Sequence, residues 1–178
     1  MDTQKLKTVV MDSFAGEVQA FKPGNVSVYS DGHDMTVKDF MLSAEVSVPL
    51  LCQTGERVGK RILDSVVQTK ATVGCNTNLG MLLLFSPIIA AAESGFENEI
   101  ELRKQIKTVL SSLTEKDTVD VYEAIRLANP GGLGEVKSHD VRQAPDCSLM
   151  EAMDIASDRD LVAMQYKNNF EQVFEDGL

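Results

Sequence analysis

Residues 74–92, GCNTNLGMLLLFSPIIAAA, begin with a small polar turn and run directly into the most apolar segment of the chain. Asn76, Thr77 and Asn78 are helix-starting residues, because a side-chain oxygen there accepts from a free N–H of the first turn. From Leu79 to Ala92 the sequence is apolar almost all round, the pattern of a helix enclosed by other helices. Pro87 lies inside that run and lacks a backbone donor, which predicts a kink or an end near Ser86. The expectation is a central buried helix with an exposed Asn-Thr-Asn mouth, whose N-terminus favours an anionic ligand. A capped core helix without a ligand is the plainer reading of the same residues.

Outward from this post, the chain reads as helices on both sides. Leu6, Val9, Val10, Phe14, Val18 and Phe21 recur at helical spacing, and this first helix carries Glu17 before stopping at Lys22-Pro23-Gly24-Asn25. Residues 22–35 form a polar loop containing Lys22, Asn25, Ser27, Asp31, His33 and Asp34. Thr36 and Asp39 approximate a capping box for a second helix, bent near Pro49. A third helix covers about 56–69, with Lys60 and Arg61 available beside its apolar face. After the post, helices are expected over 99–113 and 114–128. A second polar loop, 129–147, is rich in glycine, and Ser148 with Glu151 caps a final helical stretch broken near Ser157. The fold class is therefore all-α: one domain, residues 1–178, a helical bundle around a central buried helix with two polar loops.

Composition agrees. The 178 residues suffice for one sizeable core, and the absence of Trp with abundant Leu, Val, Ile, Met and Ala suits helix packing. A net charge of −10 argues against nucleic acid or an anionic membrane as partner. It leaves a nucleotide open, since a local basic group or a metal ion reverses the potential. Cys52, Cys75 and Cys147 form no CxxC, so the expectation is a reduced, cytoplasmic protein without disulfides. The 79–92 run is shorter than the roughly 20 residues a membrane span needs, and no secretory signal is expected.

Several chemistries fall away. There is no GxxxxGK[ST] phosphate loop, and GGLG at 131–134 follows no strand. His33-Asp34 and His139-Asp140 both read HD, yet metal-dependent HD hydrolases need more than the two histidines present. No GxSxG elbow supports a serine nucleophile.

Three motifs in order carry a resemblance. KPGNV at 22–26 follows a Glu-bearing helix; GHDM at 32–35 precedes Phe40 and Ser43-Ala44; and Gly74-Cys75-Asn76-Thr77 is completed by Gly80. Together they resemble the triphosphoribosyl-dephospho-CoA synthase family over residues 10–95. PGGLG at 130–134, Leu149-Met150-Glu151-Ala152-Met153 and Asp158-Arg159-Asp160 resemble a shorter branch of it. The resemblance implies an all-helical protein. It implies transfer of the triphosphoribosyl group of ATP to the ribose 2′-hydroxyl of dephospho-CoA, with release of adenine. It also implies Mg²⁺ to neutralise the triphosphate.

On that basis Glu17 and Asp31 are candidate metal ligands and Lys22 a phosphate partner within the substrate-binding set Lys22, Gly24, Asn25, Asn76, Thr77 and Asn78. Asp34 or His33 is the candidate general base. The chain departs from the family pattern in three places. Asn78-Leu79 replaces a His-Lys pair, Ser27 replaces an Asp, and longer relatives run on for several helices beyond the point matching Leu178, so the expectation is a fragment, a shorter branch, or a surface completed by a partner. The last departure predicts that some of Met164, Tyr166, Phe170, Val173 and Phe174 form an open apolar face, and hence a homo-oligomer. Two further readings stand beside the transferase: a non-catalytic nucleotide-binding or assembly subunit, and a related enzyme acting on a pterin-type cofactor.

Overall fold

In the computed structural model of the chain, residues 2–20, 26–29, 35–131 and 139–176 are described. The extended elements among them are all helices: α1 (Thr3–Gln19), α2 (Val37–Leu51), α3 (Val58–Val73), α4 (Leu79–Glu93), α5 (Glu99–Ser111), α6 (Glu115–Ala128), α7 (Leu149–Ala156), α8 (Leu161–Lys167) and α9 (Glu171–Glu175). The fold is all-α, as expected. Several helix starts fall where cap chemistry puts them, with complete capping boxes at Thr36/Asp39, Thr114/Asp117 and Ser148/Glu151. The third helix starts later and runs further than its apolar pattern suggested. It stops at Gly74, whose φ of 77° is a left-handed conformation that side chains with a Cβ avoid. The final stretch breaks at Ser157 and again at Asn169 and Phe170, where φ is 56° and 64°.

The apolar run does form the central post. α4 packs against α1, α2, α3, α5 and α8, and Leu82, Ile89 and Ala91 are buried. Phe14 of α1 meets Phe85 edge-on at 5.6 Å between ring centres. The helix does not end near Ser86, because the defect at Pro87 is repaired from outside. The carbonyl that loses its donor is that of Leu83, four residues back. The hydroxyl of Tyr166 on α8 donates to it at 2.8 Å. Ser86 adds a second tie, donating from Oγ to the Val58 carbonyl at 2.9 Å.

Two other expectations are corrected. The apolar face foreseen at the C-terminal end is largely packed within the chain, with Met164, Val173 and Phe174 left partly buried. Tyr166 and Phe170 are fully buried with rings 5.5 Å apart, and Phe174 lies under the Arg103 guanidinium at 4.7 Å. Arg61 is not available beside α3 but buried at 1% exposure, bonded to the carbonyls of Leu51 and Glu56 and, at 2.7 Å, to Glu93. Next to it α3 crosses α6 at such close range that a Cβ on Gly59 would lie 2.6 Å from the Asp117 Cα. Among the described residues, no helix is long and apolar enough to cross a membrane.

Candidate functional site

The polar turn before α4 divides its side chains between core and surface. Asn76 Oδ1 accepts from the Leu79 N–H at 3.2 Å and so satisfies a first-turn donor, while the N-cap residue Asn78 makes no side-chain cap bond. Thr77 and Asn78 point inward instead. Thr77 donates to Ser43 Oγ at 2.6 Å, and Ser43 donates onward to the Asp39 carbonyl at 2.7 Å. The Asn78 amide reaches Thr69 Oγ1 at 3.1 Å and Ser47 Oγ at 3.4 Å. Exposures of 8% and 3% remove Thr77 and Asn78 from an open mouth, and Asn76 alone of the three is half-buried. The start of α2 lies beside this turn. Burial, and then the nearby Asp39 carboxylate, push the Cys75 thiol above its ordinary range.

Asn76 opens onto a cleft of about 390 Å³ bounded by the first turns of α4, the C-terminal half of α6, the segment after residue 139, and α7 with α8. Leu83, Ile125, Met153 and Val162 supply apolar walls, while Asn76, Tyr122, His139, Asp140, Arg159 and Asp160 supply polar groups. A cavity of this size, mostly apolar with a few convergent polar groups, is the usual form of a small-molecule site.

One face of α6 builds the far wall. Thr118, Tyr122 and Arg126 stand four residues apart and therefore on one side of the helix. Thr118 Oγ1 accepts from the Leu149 N–H at 3.0 Å, which seats the start of α7. The Tyr122 hydroxyl donates to the His139 carbonyl at 3.4 Å. Arg126 donates to the carbonyls of Val141 at 2.7 Å and Gln143 at 3.0 Å. A segment without regular structure is thus held at three points by a rigid helix.

The polar groups of the cleft are unequally committed. Asp160 is occupied as the cap of α8, accepting from Ala163 N at 2.8 Å. Asp140 accepts from the Arg142 N–H at 2.9 Å. His139, at a φ of 54°, pairs its Nδ1 with Asp146 Oδ1 at 2.7 Å. That bond and the imidazole's charge hold the Asp146 carboxyl below its ordinary range. Burial and the neighbouring Cys147 push the Tyr122 hydroxyl well up, so it stays a neutral donor. The Arg159 side chain, exposed on the α7–α8 turn, has no hydrogen bond or ion pair among the described residues. In a chain of net charge −10, an uncommitted guanidinium facing a cleft is a ready anion contact.

Of the residues proposed from the sequence, Lys22, Gly24, Asn25, Asp31, His33 and Asp34 lie outside the described residues. Glu17 is half-buried on the last turn of α1, next to Val18, whose carbonyl accepts the Val28 N–H at 2.9 Å. Asn76 reaches the cleft, whereas Thr77 and Asn78 support it from behind. Tyr122, Arg126, Asp140 and Arg159 were not anticipated as site residues. His139 and Asp140 had registered only as an HD pair, and Thr118-x₃-Tyr122-x₃-Arg126 only as part of a helix. The available signal was that spacing of hydrogen-bonding side chains on a helix followed by a glycine-rich loop.

Comparison with known proteins gives one result. The CitG family, described as ATP:dephospho-CoA triphosphoribosyl transferase, matches residues 3–178. No curated protein and no solved structure matches. The match includes the α4 turn and the cleft walls alike, and on its extent the chain belongs to the CitG family of triphosphoribosyl transferases.

Proposed function

We propose that the protein transfers the triphosphoribosyl group of ATP to a hydroxyl of dephospho-CoA and releases adenine, using the cleft beside Asn76 as part of its substrate site. The bond from ribose C1′ to adenine breaks, and a bond from C1′ to the acceptor oxygen forms. The acceptor's proton passes to a base, and adenine leaves with the electron pair of the broken bond. The observation that supports this reading is the conjunction of a match over residues 3–178 with an uncommitted Arg159 facing the same cleft as the α4 start. In family members a His-Lys pair stands at the positions of Asn78-Leu79. Here both residues are buried, so the positive charge has to come from elsewhere. Arg159, lining the same cleft, supplies it, binding phosphate oxygens while Asn76 and the α4 N-terminus hold ribose or phosphate. His33 or Asp34 takes the hydroxyl proton and Lys22 adds a second phosphate contact.

Mg²⁺ is part of this proposal, with Glu17 and Asp31 as ligands. A half-buried carboxylate at the end of α1 is the hard oxygen donor that Mg²⁺ prefers, and the ion supplies neutralisation of the triphosphate.

The test is adenine release from ATP by the purified protein, with dephospho-CoA present or omitted and Mg²⁺ present or chelated. Release that depends on dephospho-CoA supports the proposal. Release only with a pterin-type acceptor reassigns the substrate. ATP binding without release under any acceptor leaves a non-catalytic nucleotide-binding subunit.

A further inference from the structure

We propose that His139, Asp146 and Cys147 form a binding site for a zinc-class divalent cation at the rim of the cleft. One ligand atom from each, the His139 ring nitrogen, an Asp146 carboxylate oxygen and Cys147 Sγ, lie within 4.8 Å of one another. Tetrahedral bonds of about 2.0–2.3 Å place ligand atoms about 3.3–3.6 Å apart. The 2.7 Å His139–Asp146 contact would open slightly and the thiol would close in, both within side-chain reach.

The donors are held rather than scattered. Tyr122 on α6 contacts both the His139 carbonyl and, at 3.8 Å, Cys147 Sγ. Arg126 fixes the backbone between them, and Ser148, next to Cys147, is locked in the capping box of α7. Preformed geometry on a pinned loop lowers the ordering cost of binding.

Donor chemistry selects the ion. One imidazole nitrogen, one carboxylate oxygen and one thiolate sulfur suit zinc and its first-row neighbours, and fit poorly with Mg²⁺ or Ca²⁺, which take oxygen ligands. Three protein ligands leave one tetrahedral position for water or a substrate oxygen, the pattern of an open rather than a closed site. His139 also lines the cleft, so the ion would sit between the loop and the space where substrate is proposed to bind. The site is independent of the magnesium positions proposed above. A simpler account makes His139–Asp146 a loop latch with Cys147 a bystander, and the two accounts differ in what a metal titration shows.

Cobalt(II), then zinc(II), is titrated into the full chain under reducing conditions. The expected result is one cobalt per chain, with the near-ultraviolet sulfur-to-cobalt band and intense visible bands of four-coordination, displaced by one equivalent of zinc. Cys147→Ser should abolish the sulfur band and weaken zinc binding at least about tenfold, since even outer contacts of a metal site carry 10- to 100-fold. His139→Asn, chosen because Asn tolerates the φ of 54°, should weaken it similarly. Cys75→Ser should change neither readout. X-ray absorption of the zinc-loaded wild type, with one sulfur and the remainder nitrogen or oxygen, tests the ligand set even if a variant folds poorly. No saturable binding by the wild type, or binding undiminished in both Cys147→Ser and His139→Asn, overturns the site.

Discussion

The two ends of α4 carry polar groups of opposite status. At the C-terminal end Glu93 receives Arg61 at 2.7 Å and the Gly55 N–H at 3.1 Å, and the rest of the Arg61 guanidinium is spent on main-chain carbonyls. At the N-terminal end Asn76 accepts from the Leu79 N–H and still lines an open cleft, and the Arg159 side chain lining the same cleft has no partner among the described residues. A buried ion with its donors used holds helices together. A cation aimed at space, with room for a ligand, is placed for something the chain does not itself provide. The contrast makes separate predictions for stability and for function at the two ends.

The largest effect is expected at the saturated end. Arg61→Ala leaves the Glu93 carboxylate with the Gly55 N–H but no cation and removes the guanidinium from two carbonyls, and breaking a buried pair from one side costs about 3–5 kcal/mol. Urea denaturation of the purified variant reads this directly. A loss under about 1 kcal/mol would show that the ion pair is solvated and that the contrast between the two ends is overstated. Next comes Tyr166→Phe, which strands the Leu83 carbonyl opposite Pro87 and should cost about 1–3 kcal/mol. Combining it with Pro87→Ala restores a main-chain donor to that carbonyl. The hydroxyl loss should then matter less than in the parent, and an additive double mutant would refute the repair at Pro87.

Acid should act through Asp117. Burial alone raises its pKa, but hydrogen bonds from Thr114 and the Gly59 N–H, with Arg57 beside it, outweigh this and hold the carboxyl below its ordinary range. Its folded pKa lies below its unfolded one, so its stabilisation is present above the unfolded value of about 3.9. It is lost as pH falls through the folded pKa. Asp117→Asn should therefore be less stable at neutral pH and show a shallower fall in melting temperature below about pH 4. Parallel acid limbs in the two proteins would remove Asp117 from that account.

The smallest stability effects belong to the open end, where function should change most. Arg159→Gln alters an exposed side chain and should move stability by no more than about 0.5 kcal/mol. Adenine release at limiting ATP should nevertheless fall about tenfold or more, equivalent to about 1.4 kcal/mol of lost transition-state binding. Asn76→Ser keeps a side-chain oxygen for the Leu79 N–H and loses the amide donors, so stability should change by about a few tenths of a kcal/mol at most while turnover drops. Unchanged turnover in both variants would sever the cleft from the reaction and leave the α4 start as a structural cap.

The sequence by itself determined the main helices and their capped starts, because those depend on neighbours three and four residues away. Thr36/Asp39, Thr114/Asp117 and Ser148/Glu151 each close a capping box within one turn, and the apolar run after Asn78 could be stable only inside other helices. The order of its motifs also pointed to the family. What only the tertiary structure decided is where polar side chains are spent. Pro87 reads as a break until Tyr166, 83 positions from Leu83, is seen donating to the carbonyl it leaves bare. Thr77 and Asn78 read as a mouth until α2 and α3 close over them, and Arg61 reads as free until Glu93 and two carbonyls enclose it. Arg159 was legible only as one charge between two aspartates. Its candidacy came from the space in front of it, and space is made by the packing of distant elements, which no local pattern of residues encodes.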